Sequence, residues 1–333
     1  MSNKKYKILI GVQLSHHLET FIDEMKKRLP SNCELVVPFS WSEKDIIQLV
    51  REVEILISWK ASRELIEAGK KLKMIQQIGT GVDMIDIEAA KERGVTICNA
   101  KGFNAKPCAE HIMALILALA KNLTKHDKIL RHGGWREMYA PSLLLYGKTM
   151  GIVGFGSIGE EIARRAKAFG IKIMAIERSP SEQHRRKLEI SYLGGPADLV
   201  HLLQESDFIV LTVPLTPETK RIIGEKEFQT MKKSAYLVNI SRGLVVDEKA
   251  LIKALQEGKI AGAGLDVFEK EPIALDNPLL KLPNVVLTPH IAGSMDSKEL
   301  QKERAAFLAQ NIEKFIRGEK PDNIVDVTLK YVP

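Results

Sequence analysis

Three apolar runs in the second half of the chain each end in a polar side chain of a type that does chemistry. "AYLVNISRG" delivers Arg242, "GAGLDVFEKEP" delivers Asp266 and Glu271, and "NVVLTPHIAG" delivers His290. If these runs are strands of an open parallel sheet, their side chains gather outside the carboxyl ends, where such sheets bind ligands. An imidazole, with an ordinary pKa of about 6.5, can take or give the proton of a hydroxyl group. A carboxylate hydrogen-bonded to it would fix the ring's orientation and balance its charge. A guanidinium clamps a substrate carboxylate through a bidentate contact and polarises the carbonyl beside it. His290, Glu271 and Arg242 together therefore suit hydride exchange at a carbon that bears a hydroxyl and adjoins a carboxylate, as in a 2-hydroxy acid. Each also has a plainer reading. Arg242 before Gly243 can be a turn residue with a surface charge, and Glu271 before Pro272 a solvated loop carboxylate.

Hydride exchange needs a carrier, and the segment before these runs has the pattern of a carrier site. Gly154-Phe155-Gly156-Ser157-Ile158-Gly159 is a G-x-G-x-x-G between a predicted strand, Thr149–Val153, and a helical pattern, Glu160–Phe169, with a second strand over Ile171–Ile176. In that context Gly154 allows the tight turn, Gly156 lets a pyrophosphate approach the backbone, and Gly159 lets helix and strand pack closely. Glu177 ends the second strand, where a carboxylate accepts hydrogen bonds from a ribose diol and repels a 2′-phosphate. This favours NAD. Arg178 and Ser179 follow at once and would admit NADP if Glu177 swung aside.

The elements that must position these residues alternate along the chain. Lys7–Val12, Glu34–Val37, Ile55–Ser58, Met74–Ile78 and Thr96–Cys98 read as strands separated by amphipathic segments, the signature of an α/β fold with parallel sheets. Asn104–Leu123 reads as one long buried helix, apolar nearly all round, with Pro107 in its first turn. A second long helix is expected after an Asp296 N-cap, with Glu299 three residues on, running to Gly318. These two helices would carry the chain out of one domain and back. The expected organisation is a doubly wound Rossmann domain, 103–295, inserted into a smaller α/β domain made of 1–102 and 296–333.

Composition closes off several function classes. The 333 residues are 45% hydrophobic and 27% charged, an ordinary globular balance. The net charge of +7 comes from dispersed Lys and Arg interleaved with acids, so no nucleic-acid partner is expected, and a mildly positive field would draw a small anion. Cys33, Cys98 and Cys108 form no C-x-x-C pair, which predicts neither a metal site nor a disulfide framework and fits a cytoplasmic setting. The short apolar run near Met1 predicts no signal peptide, and no stretch predicts a membrane span.

Taken in order, "GTGVDMID" (79–86), "NAKGFNAKPCAEH" (99–111), "GIVGFGSIG" (151–159), "ESDFIVLTVPLTPET" (205–219), "AYLVNISRGLVVDEKAL" (235–251), "AGLDVFEKEP" (263–272) and "TPHIAG" (288–293) resemble the D-isomer-specific 2-hydroxyacid dehydrogenases, the glyoxylate/hydroxypyruvate reductases and phosphoglycerate dehydrogenases among them. The resemblance covers nearly the whole chain. It implies a flavodoxin-like substrate domain split between the chain ends, a cleft between domains, and a homodimer formed largely by the cofactor domain. The family's catalytic residues fall on Arg242, Glu271 and His290. Its cofactor contacts fall on Thr80, Ser157, Ile158, Glu177, Val213, Ile240, Asp266 and Gly293, with Cys108 near the nicotinamide. Backbone N–H groups of Gly81 and Val82 would assist Arg242 with the carboxylate. Two features depart from the pattern or extend it. Met84 stands where the family usually has Asn or His, and the loop "SWKAS" (58–62) carries Trp59 and Lys60, of which Lys60 would read a second anionic group on the substrate if it faces the ligand.

Other readings of the same residues stay open at this point. Some relatives are NAD(H)-responsive corepressors, although these carry disordered tails and this sequence ends soon after its last predicted helix. Formate dehydrogenases resembling this family pair the histidine with Gln, against Glu271, whereas phosphite dehydrogenases keep the acidic residue.

Overall fold

A computed structural model of the chain describes residues 5–13, 17–136, 139–294 and 297–328. The chain divides into two compact units, Met1–Asn104 with Ser294–Pro333, and Ala105–Gly293. The first unit begins with β1 (Tyr6–Ile10), α1 (Leu18–Arg28), β2 (Cys33–Val36), α2 (Glu43–Val50), β3 (Ile55–Ser58), α3 (Arg63–Ala68), β4 (Met74–Gln77), α4 (Ile87–Glu92) and β5 (Thr96–Cys98). The strands form one parallel sheet in the order β2-β1-β3-β4-β5, the flavodoxin-like order. β3, "ILIS", is buried at all four residues, as a strand covered by helices on both faces must be. Ser42, Ser62 and Asp86 start α2, α3 and α4 by accepting a backbone N–H with their side chains, and so fix where each crossover helix turns back.

The second unit contains α5 (Ala105–Ala120), α6 (Leu123–Arg131), β6 (Thr149–Val153), α7 (Ser157–Lys167), β7 (Lys172–Ile176), α8 (Glu182–Lys187), β8 (Tyr192–Gly194), α9 (Leu199–Glu205), β9 (Phe208–Leu211), α10 (Glu225–Thr230), β10 (Tyr236–Asn239), α11 (Glu248–Gln256), β11 (Gly262–Leu265) and β12 (Val285–Leu287). Its seven parallel strands run β12-β11-β10-β9-β6-β7-β8, a doubly wound Rossmann order whose switch point lies between β6 and β9. The helix expected over Asn104–Leu123 is shorter than its apolar run. Asn122 takes a left-handed conformation, φ 49°, and its amide donates to Pro141 O at 2.6 Å, so α5 stops and α6 starts afresh. α5 buries Cys108, Ile112, Leu115, Ile116 and Leu119 in the core of this unit, against α7 and β11.

The chain then returns to the first unit as α12 (Lys298–Ile316), which packs on α1. Its N-cap is Ser297, whose hydroxyl accepts the Leu300 N–H at 3.2 Å, while the expected cap, Asp296, lies outside the described residues. No helix among the described residues is long and apolar enough to cross a membrane. α12 is tied to the sheet by a buried polar bond. Asn311, 2% exposed, donates to Gln76 Oε1 of β4 at 2.7 Å and accepts the Asp322 N–H at 2.6 Å. Asn311→Ala would strand both partners, and we expect it to destabilise the protein by about 2–4 kcal/mol. Urea unfolding measures this, and an unchanged midpoint would show that the bond does not hold the helix.

Candidate active site

The carboxyl ends of β10, β11 and β12 lie side by side because the three strands are parallel and in register. After β10 the buried Asn239 side chain organises the turn. Its Oδ1 accepts the Ser241 N–H and hydroxyl at 3.0 and 2.9 Å, and its Nδ2 donates to Arg242 O at 2.9 Å. Arg242 itself is half-buried and its Nη1 donates to Ser241 O at 2.7 Å. Gly243 lets this turn press on the loop after β11, for a Cβ there would lie 1.9 Å from the carbonyl carbon of Phe268. That contact brings Arg242 close enough to Glu271 for its charge to act on the carboxylate.

His290 Nδ1 lies 2.6 Å from Glu271 Oε2, and Glu271 Oε1 accepts the Phe268 N–H at 3.0 Å. Burial pushes the Glu271 carboxyl up. The His290 hydrogen bond, the Phe268 amide and the charges of His290 and Arg242 together outweigh it and hold the group below the ordinary carboxylate range. His290 sits at φ 53°, an uncommon conformation for a residue with a side chain, and its imidazole is 46% exposed.

Asp266 holds the histidine's loop. Its carboxylate is fully buried and accepts the Thr288 hydroxyl at 2.6 Å, the Ile291 N–H at 2.9 Å and the Ala292 N–H at 2.8 Å, while its backbone carbonyl accepts the His290 N–H at 2.8 Å. Thr288 has one hydroxyl proton and gives it to Asp266. His111 Nε2, 2.9 Å from Thr288 Oγ1, must therefore be the donor in that second bond. Cys108, one turn before His111 on α5, is 3% exposed. Burial and the nearby Asp266 push its thiol up to about 12, against the opposing pull of Arg242. His111 and Thr288 lie at the ends of two of the motif stretches, "NAKGFNAKPCAEH" and "TPHIAG", but their bond joins residues 177 apart in the chain, so the sequence singles out neither.

The turn after β6 has room for a dinucleotide's phosphates. At Gly154, φ 97°, a Cβ would lie 2.9 Å from Val213 N in the loop after β9, and at Gly159 a Cβ would press on Phe155 and Gly154 O at 3.0–3.1 Å. At Gly156, the N-cap of α7, a Cβ would meet no atom within 4 Å, and no side chain caps the helix there. Ser157 and Ile158, half-buried, open that helix and leave its N-terminal amides facing outward, a setting that suits an anion. Glu177, past the end of β7, has Oε1 3.1 Å from His184 Nδ1. Ile240 is buried in the core of the unit, 7% exposed, and Gly293 is half-buried beyond the Asp266-bound amides.

The remaining predicted residues belong to the smaller unit. Thr80 Oγ1 donates to Asn104 Oδ1 at 2.9 Å, and the Gly81 carbonyl accepts a short bond from the Gln77 amide. Val82 is 3% exposed. Lys60 is exposed, as are Trp59 at 49% and Met84 at 61%.

Of these contacts, the Thr288 hydroxyl is the one that can be removed with least change of shape. Thr288→Val keeps the volume and leaves a buried carboxylate one donor short, a loss of about 1.5–3 kcal/mol for a bond to a charged group. Thermal melting should register that loss, and a melting temperature equal to the parent's would contradict the role given to the bond.

Residues 113–292 match the family model described as D-isomer specific 2-hydroxyacid dehydrogenase, NAD binding domain. A glyoxylate reductase from Korarchaeum cryptofilum (strain OPF8) is 44% identical over 292 residues, 86% of each chain. A D-3-phosphoglycerate dehydrogenase from Methanocaldococcus jannaschii is 39% identical over 88% of this chain, which spans only 56% of that longer relative. Among solved structures, an NADPH-dependent glyoxylate/hydroxypyruvate reductase from Sinorhizobium meliloti, in complex with NADP and malonate, is similar with a TM-score of 0.82 and 29% identity, over 98% of this chain and 99% of that one. With a family model across most of the larger unit and relatives this close over most of the chain, the protein belongs to the D-isomer specific 2-hydroxyacid dehydrogenase family.

Proposed function

We propose that the protein interconverts short 2-keto acids and D-2-hydroxy acids, taking glyoxylate, hydroxypyruvate or a 3-phosphoglycerate-like acid, with NAD as its preferred carrier and NADP as the lesser one. The observation that carries this reading is the 2.6 Å pair of His290 and Glu271 at the strand edge that also bears Arg242. Bound nicotinamide supplies or accepts the hydride. In the reducing direction His290 gives the proton at Nε2 to the keto oxygen, and Glu271 holds the ring so that this nitrogen faces outward. Arg242 grips the substrate carboxylate and draws charge from the carbonyl beside it, and the resemblance adds the N–H groups of Gly81 and Val82 as carboxylate contacts.

The residues present suit a dinucleotide. The open space at Gly156 takes the pyrophosphate, with Gly154, Ser157, Ile158 and Gly159 around it, and Glu177 takes the adenosine ribose. The resemblance adds Thr80, Cys108, Val213, Ile240, Asp266 and Gly293 as contacts of the cofactor. Exposed Lys60 suits a phosphate on the substrate tail. Comparing kcat/KM over short, bulky and phosphorylated 2-keto acids, with both cofactors, tests substrate and carrier together. His290→Ala is expected to lower kcat by about 10²–10⁴ while the Kd for NADH stays unchanged. Near-normal turnover would remove His290 from the chemistry.

We also propose a homodimer made through the larger unit. Leu123, Leu130, Trp135, Tyr139, Leu144 and Tyr146 are each more than half exposed within one stretch of chain, and α6 buries none of its residues. So much exposed apolar side chain in one stretch of sequence suits a contact with another protein surface. Sedimentation should give twice the chain mass, falling to the single mass in the double substitution Leu130→Glu with Leu144→Glu. A monomeric parent protein would refute this assembly.

A further inference from the structure

We propose that His184 is a positioning residue that sets the preference between NADH and NADPH by holding the Glu177 carboxylate in place. The inference rests on the reading of Glu177 as the acceptor of the ribose diol. His184 lies on α8, which Ser181 starts by accepting the His184 N–H at 3.1 Å. Its ring packs on Phe155, the second residue of the glycine fingerprint, with centroids 5.3 Å apart. One edge of the ring meets Glu177, with Nδ1 3.1 Å from Oε1, and the other meets Glu160 of α7, with Nε2 3.4 Å from Oε1. The three side chains are 18–26% exposed, so the ring is gripped on a face and two edges rather than waving in solvent.

That grip fixes the orientation of Glu177. Oε1 is tied to the ring, while Oε2 has no protein partner among the described residues and is left for a ligand hydroxyl. The two arginines of α8 are engaged with Glu182 instead. Arg185 makes two bonds to Glu182, at 2.7 and 2.6 Å, and Arg186 makes another at 2.9 Å. A 2′-phosphate would instead meet two carboxylates, Glu177 and Glu160, with exposed Arg178 its nearest counter-charge in sequence. Freed from His184, Glu177 loses the orientation that suits the diol, a loss that NADH feels and NADPH, which lacks the free 2′-hydroxyl, feels less.

The test is direct titration of the purified protein with NADH and with NADPH, followed by nicotinamide fluorescence and independent of turnover. His184→Ala is expected to weaken NADH about fivefold, the effect of one ordinary hydrogen bond, and NADPH less than about twofold. His184→Asn keeps a donor near the Nδ1 position and is expected to restore NADH binding. His184→Gln keeps the bulk but reaches toward Glu160, and should behave as His184→Ala does. In a Glu177→Ala background, His184→Ala should have no further effect. The proposal is overturned if both cofactors weaken equally, if NADPH alone weakens, if neither changes, or if the effect persists in the Glu177→Ala background. Should Glu177→Ala itself leave the NADH-to-NADPH ratio unchanged, the reading of Glu177 fails and the inference with it. A response to Glu177→Ala without one to His184→Ala removes the inference alone.

Discussion

The chemistry of the larger unit depends on one buried carboxylate. Asp266 follows the last residue of β11 and is fully desolvated, so it must be satisfied by hydrogen bonds from inside the protein. Its three hydrogen-bond donors, the Thr288 hydroxyl and the Ile291 and Ala292 amides, come from the segment after β12, and His111 Nε2 of α5 lies 3.5 Å away. Meeting them forces that segment over the end of β11 and leaves His290 at φ 53°, a conformation the local sequence does not favour. Glu271 leaves the same strand end five residues later, so the 2.6 Å approach of His290 to Glu271 follows from where Asp266 gathers the backbone.

The order of strands separates the two tasks of the unit. The glycine turn after β6 stands at the switch point, and the histidine and glutamate stand at the ends of β11 and β12. From β6 through β9 and β10 to β11 is three strand spacings, roughly 14 Å at about 4.8 Å each. That distance suits an extended ligand whose phosphates lie in its middle and whose reactive ring lies at one end, as in a dinucleotide. α5 supports both tasks from beneath, since its Cys108 and His111 reach toward Asp266 and its neighbours pack on α7.

Much of this was legible in the sequence where the signal was local. The runs Ile55–Ser58, Thr96–Cys98 and Thr149–Val153 are strands with those bounds, because an apolar run between polar breaks is how a buried parallel strand reads. α7 begins at Ser157, three residues before the predicted start, since the fingerprint's own last residues form the first helical turn. The polar residues closing the apolar runs, Arg242, Glu271 and His290, announced themselves by position. The break at Asn122 was hidden because apolar character continues across it, and the α5–α6 division is a matter of one left-handed residue. His184 carried no signal, and Thr288 and His111, although inside motif stretches, were not marked out, for each meets its partner only through the fold.

His290 with Glu271 and His184 with Glu177 are both glutamate–histidine pairs of this unit, and the chemistry of their remaining atoms tells them apart. In the first, both oxygens of Glu271 are used, one by His290 and one by the Phe268 amide, while His290 keeps Nε2 without a protein partner among the described residues. The glutamate can only orient, and the ring has the atom that meets a ligand. In the second, both ring nitrogens of His184 face carboxylates, and Glu177 keeps Oε2. There the ring's nitrogens are both occupied, and the free atom belongs to the carboxylate. An imidazole Nε2 can give a proton to a keto oxygen, and an ionised carboxylate oxygen can only accept, as from a diol. The same two side-chain types thus leave opposite atoms free, and under the proposed function the unspent atom in each pair decides whether that pair offers a proton or accepts one.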